Sequence, residues 1–214
     1  HCGIMDQMAV AAGEAGSALL LDCRDLATQK VSLPQDWAVM IVQSGVRRGL
    51  VDGHYNARRR DCEAAAEALG LGSLRDASLD AVEAGPLDPL VRRRARHVVS
   101  EIARTAEAVA AIESGDLPAL GAILRASHAS LRDDFEVSVP AVDALVDRLN
   151  EAIGPDGGAR MTGGGFGGAV VAVVRAARVD ALREAMARDG SAPGGAALDM
   201  MIEAAVPRPV EGPR

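Results

Sequence analysis

The apolar positions of this chain change period twice. Between residues 17 and 43, three short runs, SALLLD (17–22), ATQKVSL (27–33) and WAVMIVQ (37–43), are rich in Val, Ile and Leu and are broken by polar or Pro-containing turns. That pattern predicts three strands in close succession. From Tyr55 the spacing becomes helical: Ala64, Ala65, Ala68 and Leu69 interleave with Arg58, Arg59, Glu63 and Glu67 up to Gly70. The stretch from Asp88 to Asn150 is predicted to be all helical, with Val91, Ala95, Val98, Val99, Ile102, Ala106 and Val109 forming one long apolar stripe. Asp116 and Ser138 stand where N-caps of the next two helices are expected, the second with Pro140 in its first turn.

The last third has a different character. A glycine-rich stretch, GPDGGARMTGGGFGG (154–168), leads into AVVAVV (169–174), which is a buried strand by length and β-branching. A helix over Val179–Arg188 and a strand within MMIEAAV (200–206) complete a loop, strand, helix, strand unit. The final PRPVEGPR has the composition of a disordered tail.

Composition acts mainly by exclusion. Charged residues are 25% of the chain and no apolar run approaches the ~20 residues that span a bilayer, so a membrane protein is not expected. Aromatics are only 2%, which leaves few stacking platforms for single-stranded nucleic acid, and a net charge of −7 would repel its phosphates. Cys2, Cys23 and Cys62 form no CxxC pair and leave an odd thiol, as suits a reducing, cytoplasmic setting. The chain opens at His1 directly in a patterned segment, and the expectation is a piece of a longer protein.

Five glycines, Gly163, Gly164, Gly165, Gly167 and Gly168, permit backbone shapes that let main-chain N–H groups approach an anion or another backbone. No Lys-Ser or Lys-Thr follows them and they lead into a strand, so this is not a Walker loop; on glycine count, a tight structural turn is an equal reading. Asp6 precedes the apolar run MAVAAG, where a helix dipole favours an ionised carboxylate, and by itself it is an ordinary cap or first-turn acid. In HYNARRRDCE (54–63), helical spacing brings Tyr55, Arg58, Arg59 and Cys62 onto neighbouring faces, where a phenol can hydrogen-bond a polyol. The run RRRARH (92–97) reads as a face turned mostly to water. Ser127, His128 and Asp133 do not make a hydrolase triad, because adjacent residues do not place hydroxyl and imidazole in productive contact. The four histidines lack the i, i+4 spacing of a zinc helix.

Taken in order, CGIMDQ, LLLDCRDL, HYNARRRDCE, RRRARHVVSEIART, SHASLRDDFEVS and ARMTGGGFGG resemble galactokinases, within the GHMP kinases, along nearly the whole chain. RMTGGGFGG is similar to the third GHMP motif, while SHASLRDDFEVS and the YNxRR segment resemble galactokinases rather than mevalonate or homoserine kinases. The resemblance implies an α+β GHMP fold, with 1–45 ending an N-terminal catalytic domain, 46–206 forming the C-terminal domain and 207–214 a tail. It implies ATP-dependent phosphorylation of the anomeric hydroxyl of galactose, with Mg2+ as the accompanying ion. Asp6 matches the catalytic carboxylate, Gly3 a backbone contact to the sugar, and Tyr55 a hydrogen bond to ring hydroxyls. Gly163, Gly164 and Gly165 match residues that support the phosphate site.

The family's galactose-signature segment and PxGxGLSSSA-like phosphate loop do not occur in these 214 residues. A segment of the same enzyme is therefore the implied partner, beside galactose and ATP, and the chain alone is expected to be inactive. His1 stands where the family usually has Asn, and Ala169 where Cys is common. A kinase for N-acetylgalactosamine or arabinose, and a non-catalytic galactokinase-like sugar sensor, are the alternatives.

Overall fold

The computed structural model describes residues 4–46, 52–188 and 202–205. Its elements are α1 (Met5–Ala12), β1 (Ser17–Leu21), β2 (Thr28–Ser32), β3 (Trp37–Gln43), α2 (Asp52–Ala68), a 3-10 turn (Leu74–Asp76), α3 (Leu79–Ala84), α4 (Pro89–Glu113), α5 (Leu117–Asp133), α6 (Pro140–Ile153), β4 (Gly157–Thr162), β5 (Ala169–Arg175), a second 3-10 turn (Ala176–Arg178), α7 (Val179–Arg188) and β6 (Ile202–Ala205). Gly3 and the tail at 207–214 lie outside the described residues.

An antiparallel sheet in the order β4-β5-β3-β6 organises the molecule. Register sorts its side chains by parity. Ala38, Met40 and Val42 lie opposite Val174, Ala172 and Val170, and this face packs on α6 and α7 through Val142, Leu145, Val146, Leu149 and Leu182. Trp37 and Val173 point the other way, onto Ala111 at the end of α4 and Leu117 and Leu120 at the start of α5. Alternate positions of a strand face opposite sides, so a near-continuous apolar run such as AVVAVV is what a sheet covered on both faces requires.

A second cluster joins α2, α3 and α4 through Ala65, Ala66, Val82, Leu87 and Ala95. β1 and β2 form a separate antiparallel ribbon. Of the stripe predicted on α4, Val91, Ala95, Val98 and Val99 join the second cluster, while Ile102 is exposed.

Two expectations are corrected. Residues 157–162, read as part of a glycine loop, are strand β4: α5 lies so close that a Cβ on Gly121 would sit 1.9 Å from the Gly157 carbonyl oxygen, so glycines here serve helix-to-strand approach. Ser138 does not cap α6; Val139 occupies that position, and the Ser138 hydroxyl donates to Asp143 Oδ1 at 2.5 Å. β3 makes its ladders with β5 and β6, inside the same sheet as the glycine hairpin. Asp116 does cap α5, accepting from the Ala119 N–H at 2.9 Å.

Candidate functional site

Between β4 and β5 the chain turns through residues 163–168. Gly163, Gly165, Gly167 and Gly168 have φ of +80, +85, +124 and +92°, and Phe166 between them has +59°. The turn is gripped on two sides. The Phe166 N–H donates to the Val137 carbonyl at 2.7 Å, the Gly168 N–H to Val46 at 3.1 Å, and the Ser44 N–H to the Gly168 carbonyl at 2.8 Å. A Cβ on Gly165 would lie 2.4 Å from the Val137 oxygen, so left-handed backbone and close approach both demand glycine there. At Gly164 a Cβ would meet nothing within 4 Å, so the tip of the turn stands open.

Helix α2 meets this turn at its N-terminal end. The rings of His54 and Phe166 lie 4.9 Å apart with planes inclined by 30°. Tyr55 is the next residue and is 42% exposed. Arg58, on the same face, donates through Nε to the Phe135 carbonyl at 2.5 Å and through Nη2 to the Glu136 carbonyl at 2.8 Å. The contact of α2 with the turn is made by His54, and Tyr55 follows it in the helix. Asp6 is exposed in the first turn of α1, whose packing is on β1, and the cap position belongs to Ile4, so Asp6 is a first-turn acid rather than the cap.

Residues 134–137, between α5 and α6, are the hub that residue-by-residue reading did not single out. Arg94, nearly fully buried, donates to the Asp134 carbonyl and to Glu136 Oε2, both at 2.5 Å, and lies 3.7 Å from Asp61. Arg93 reaches Glu136 at 2.8 Å and Arg96 binds Glu83 and Asp134. Arg92 gathers the carbonyls of Val82, Glu83, Gly85 and Leu87, closing the C-terminal end of α3. The run RRRARH is thus committed to protein partners rather than turned to water. Its even mixture of helix faces gave no sign of this, because the partners come from three other segments.

Ser127, His128 and Asp133 diverge, as expected. The Ser127 hydroxyl donates to Glu101 at 2.6 Å and accepts from Arg160 at 2.7 Å, while Asp133 pairs with Arg132. His128 Nδ1 accepts from the Met161 N–H at 3.3 Å, and its Nε2 lies 3.2 Å from Asp143 without the alignment of a hydrogen bond. Burial pushes its pKa down, against the attraction of Asp143. Among the described residues, no three His, Cys, Asp or Glu side chains are grouped to hold a metal ion. No described helix is long and apolar enough to cross a membrane.

His97 carries a testable pH dependence. Its ring stacks on Phe135 at 4.3 Å, and Nδ1 lies 2.9 Å from the Ser130 hydroxyl, which itself donates to Asp134. Burial pushes the imidazole pKa down to about 4 from 6.5. Because the folded pKa is depressed, the unfolded chain binds the proton first; the stabilisation is complete above about pH 6.5 and is lost as pH falls toward 4. Urea unfolding at pH 7.5 and pH 5 should show roughly 2 kcal/mol less pH dependence in His97→Gln than in wild type. Parallel pH profiles for the two proteins would contradict this.

The GHMP kinases C-terminal family model matches residues 108–192, which contain α5, α6, β4, the glycine turn, β5 and α7. The Lactococcus lactis galactokinase, solved complexed with galactose, is 35% identical with a TM-score of 0.81 over 88% of this chain. The L. major mevalonate kinase, solved in complex with R-mevalonate, is 18% identical with a TM-score of 0.58 over 97% of this chain, a likeness of fold. The chain spans 50% of the galactokinase and 54% of the mevalonate kinase. With its α+β fold and a GHMP C-terminal domain built around the glycine turn, this chain belongs to the GHMP kinases.

Proposed function

We propose that the chain is the C-terminal portion of a cytoplasmic galactokinase, which phosphorylates the C1 hydroxyl of galactose at the expense of ATP. One observation carries this reading: 35% identity and a shared fold with a galactokinase that binds galactose, over 88% of the chain. ATP supplies the transferred phosphoryl group. Asp6 accepts the proton of the C1 hydroxyl as its oxygen bonds to phosphorus. The carboxylate takes that proton late, when the hydroxyl has acidified as its oxygen bonds to phosphorus. Tyr55 donates to ring hydroxyls of the sugar, and the Gly3 backbone contributes a further contact.

The glycine turn suits a supporting role beside a polyphosphate. It is braced at Gly165 and Gly167 and open at Gly164, so Gly163–Gly165 can back a phosphate site without side chains in the way. A Mg2+ ligand set is not found among the described residues, and those ligands are assigned to an N-terminal segment of the same enzyme. Phosphoryl transfer depends chiefly on positioning and charge neutralisation, which fits residues contributed from separate segments.

The test is phosphorylation of galactose, N-acetylgalactosamine and arabinose by the full-length protein, with product identified at C1. Preferential turnover of galactose supports the reading. Sugar binding without turnover would replace it with a sensor. Tyr55→Phe should weaken galactose use by about 0.5–1.5 kcal/mol, the worth of one hydrogen bond, and leave ATP affinity almost unchanged. Weakened ATP binding with normal sugar kinetics would remove Tyr55 from the sugar site.

A further inference from the structure

Left-handed backbone at non-glycine residues persists only where the surroundings over-determine it, and it concentrates at functional sites. Glu136, at φ +52°, and Phe166, at φ +59°, are two such residues, and they meet: Phe166 donates to the carbonyl of Val137, next in sequence to Glu136. Arg58 fixes the first of them from outside. Its guanidinium spans two consecutive carbonyls, those of Phe135 and Glu136, across an interval of 77 residues. A planar fork of donors matches that pair of acceptors, whereas an ammonium is a point donor able to hold one.

The same turn of α2 carries His54, whose ring packs against Phe166, and Tyr55. Helix α2 therefore holds the glycine turn twice, directly through His54 and indirectly through Arg58 and the 134–137 connection. We propose that Arg58 is a positioning residue that couples the Tyr55 end of α2 to the glycine turn, so that the sugar-binding and phosphate-supporting parts of the site keep a fixed spacing. The part of this proposal that concerns turnover rests on the kinase reading; the mechanical coupling does not.

The experiment compares full-length wild type with Arg58→Met, Arg58→Lys and, as a surface control, Arg59→Gln, whose arginine pairs with exposed Glu63. Amide hydrogen exchange is read at Phe166, with β5 amides as the internal reference. In Arg58→Met, Phe166 should exchange roughly 10–100-fold faster while β5 is unchanged, with Arg58→Lys intermediate and Arg59→Gln like wild type. Galactose kcat should fall roughly tenfold or more in Arg58→Met, as small displacements of reacting groups cost rate, with partial rescue in Arg58→Lys.

Equal acceleration at Phe166 and β5 would mean that Arg58 only adds global stability, and unchanged exchange at Phe166 would mean that it holds nothing; either overturns the proposal. So would a loosened turn with undiminished kcat. If the wild type phosphorylates no sugar, the kinase reading fails and the exchange data alone decide for or against Arg58.

Discussion

Replacing Asp6 by Asn in the full-length protein is expected to lower galactose turnover ~10²–10⁴-fold while galactose still binds, because the change removes a proton acceptor and keeps the shape. Asp6 is exposed in the first turn of an eight-residue helix. The amide of Asn retains a carbonyl acceptor for hydroxyl groups, so binding should change little. It cannot take the proton. Steady-state phosphorylation and calorimetric sugar binding, run on both proteins, separate the two effects. Near-normal turnover in Asp6→Asn would return Asp6 to a helix-terminal acid and oblige the base to come from elsewhere. Lost binding with lost turnover would assign Asp6 to recognition rather than proton transfer.

The parts of the fold that were legible in the sequence are those governed by period. The apolar runs WAVMIVQ and AVVAVV and the first part of the α4 stripe, Val91 to Val99, lie in the expected elements and pack into the core, while Ile102 farther along the stripe is exposed. β4 was not legible, because GGARMT pairs glycines with a polar residue, and its glycines are explained by a helix 36 positions earlier that no local window contains. The hub at 134–137 was hidden for the same reason. SHASLRDDFEVS matched galactokinases as a string, but the roles of its residues come from Arg58 and Arg94 on other helices and from a left-handed Glu136 that no propensity favours. Tyr55 and the glycines were legible as candidates through resemblance, whereas the His54–Phe166 ring contact that joins α2 to the glycine turn gave no signal in the sequence.

The hub also makes an asymmetric prediction about stability, which distinguishes a buried charge from its exposed partner. Arg94 has 2% of its side chain exposed and Glu136 has 41%, so removing one is not equivalent to removing the other. Glu136→Ala strands the Arg94 guanidinium in a buried position with the Asp134 carbonyl and an Asp61 carboxylate 3.7 Å away. Only that more distant carboxylate then offsets the buried charge, and the loss costs about 2–3 kcal/mol. Arg94→Met is different: it fills much of the same volume with an apolar chain and leaves Glu136 solvated and still paired to Arg93. Its cost should be about 1–2 kcal/mol, chiefly the lost bond to the Asp134 carbonyl. The double variant, lacking both charges, should therefore be more stable than Glu136→Ala alone. Urea unfolding of wild type, both single variants and the double variant closes the cycle. If Glu136→Ala proves the milder change, or the double variant unfolds no later than Glu136→Ala, then the guanidinium is not the group whose burial the carboxylate sustains.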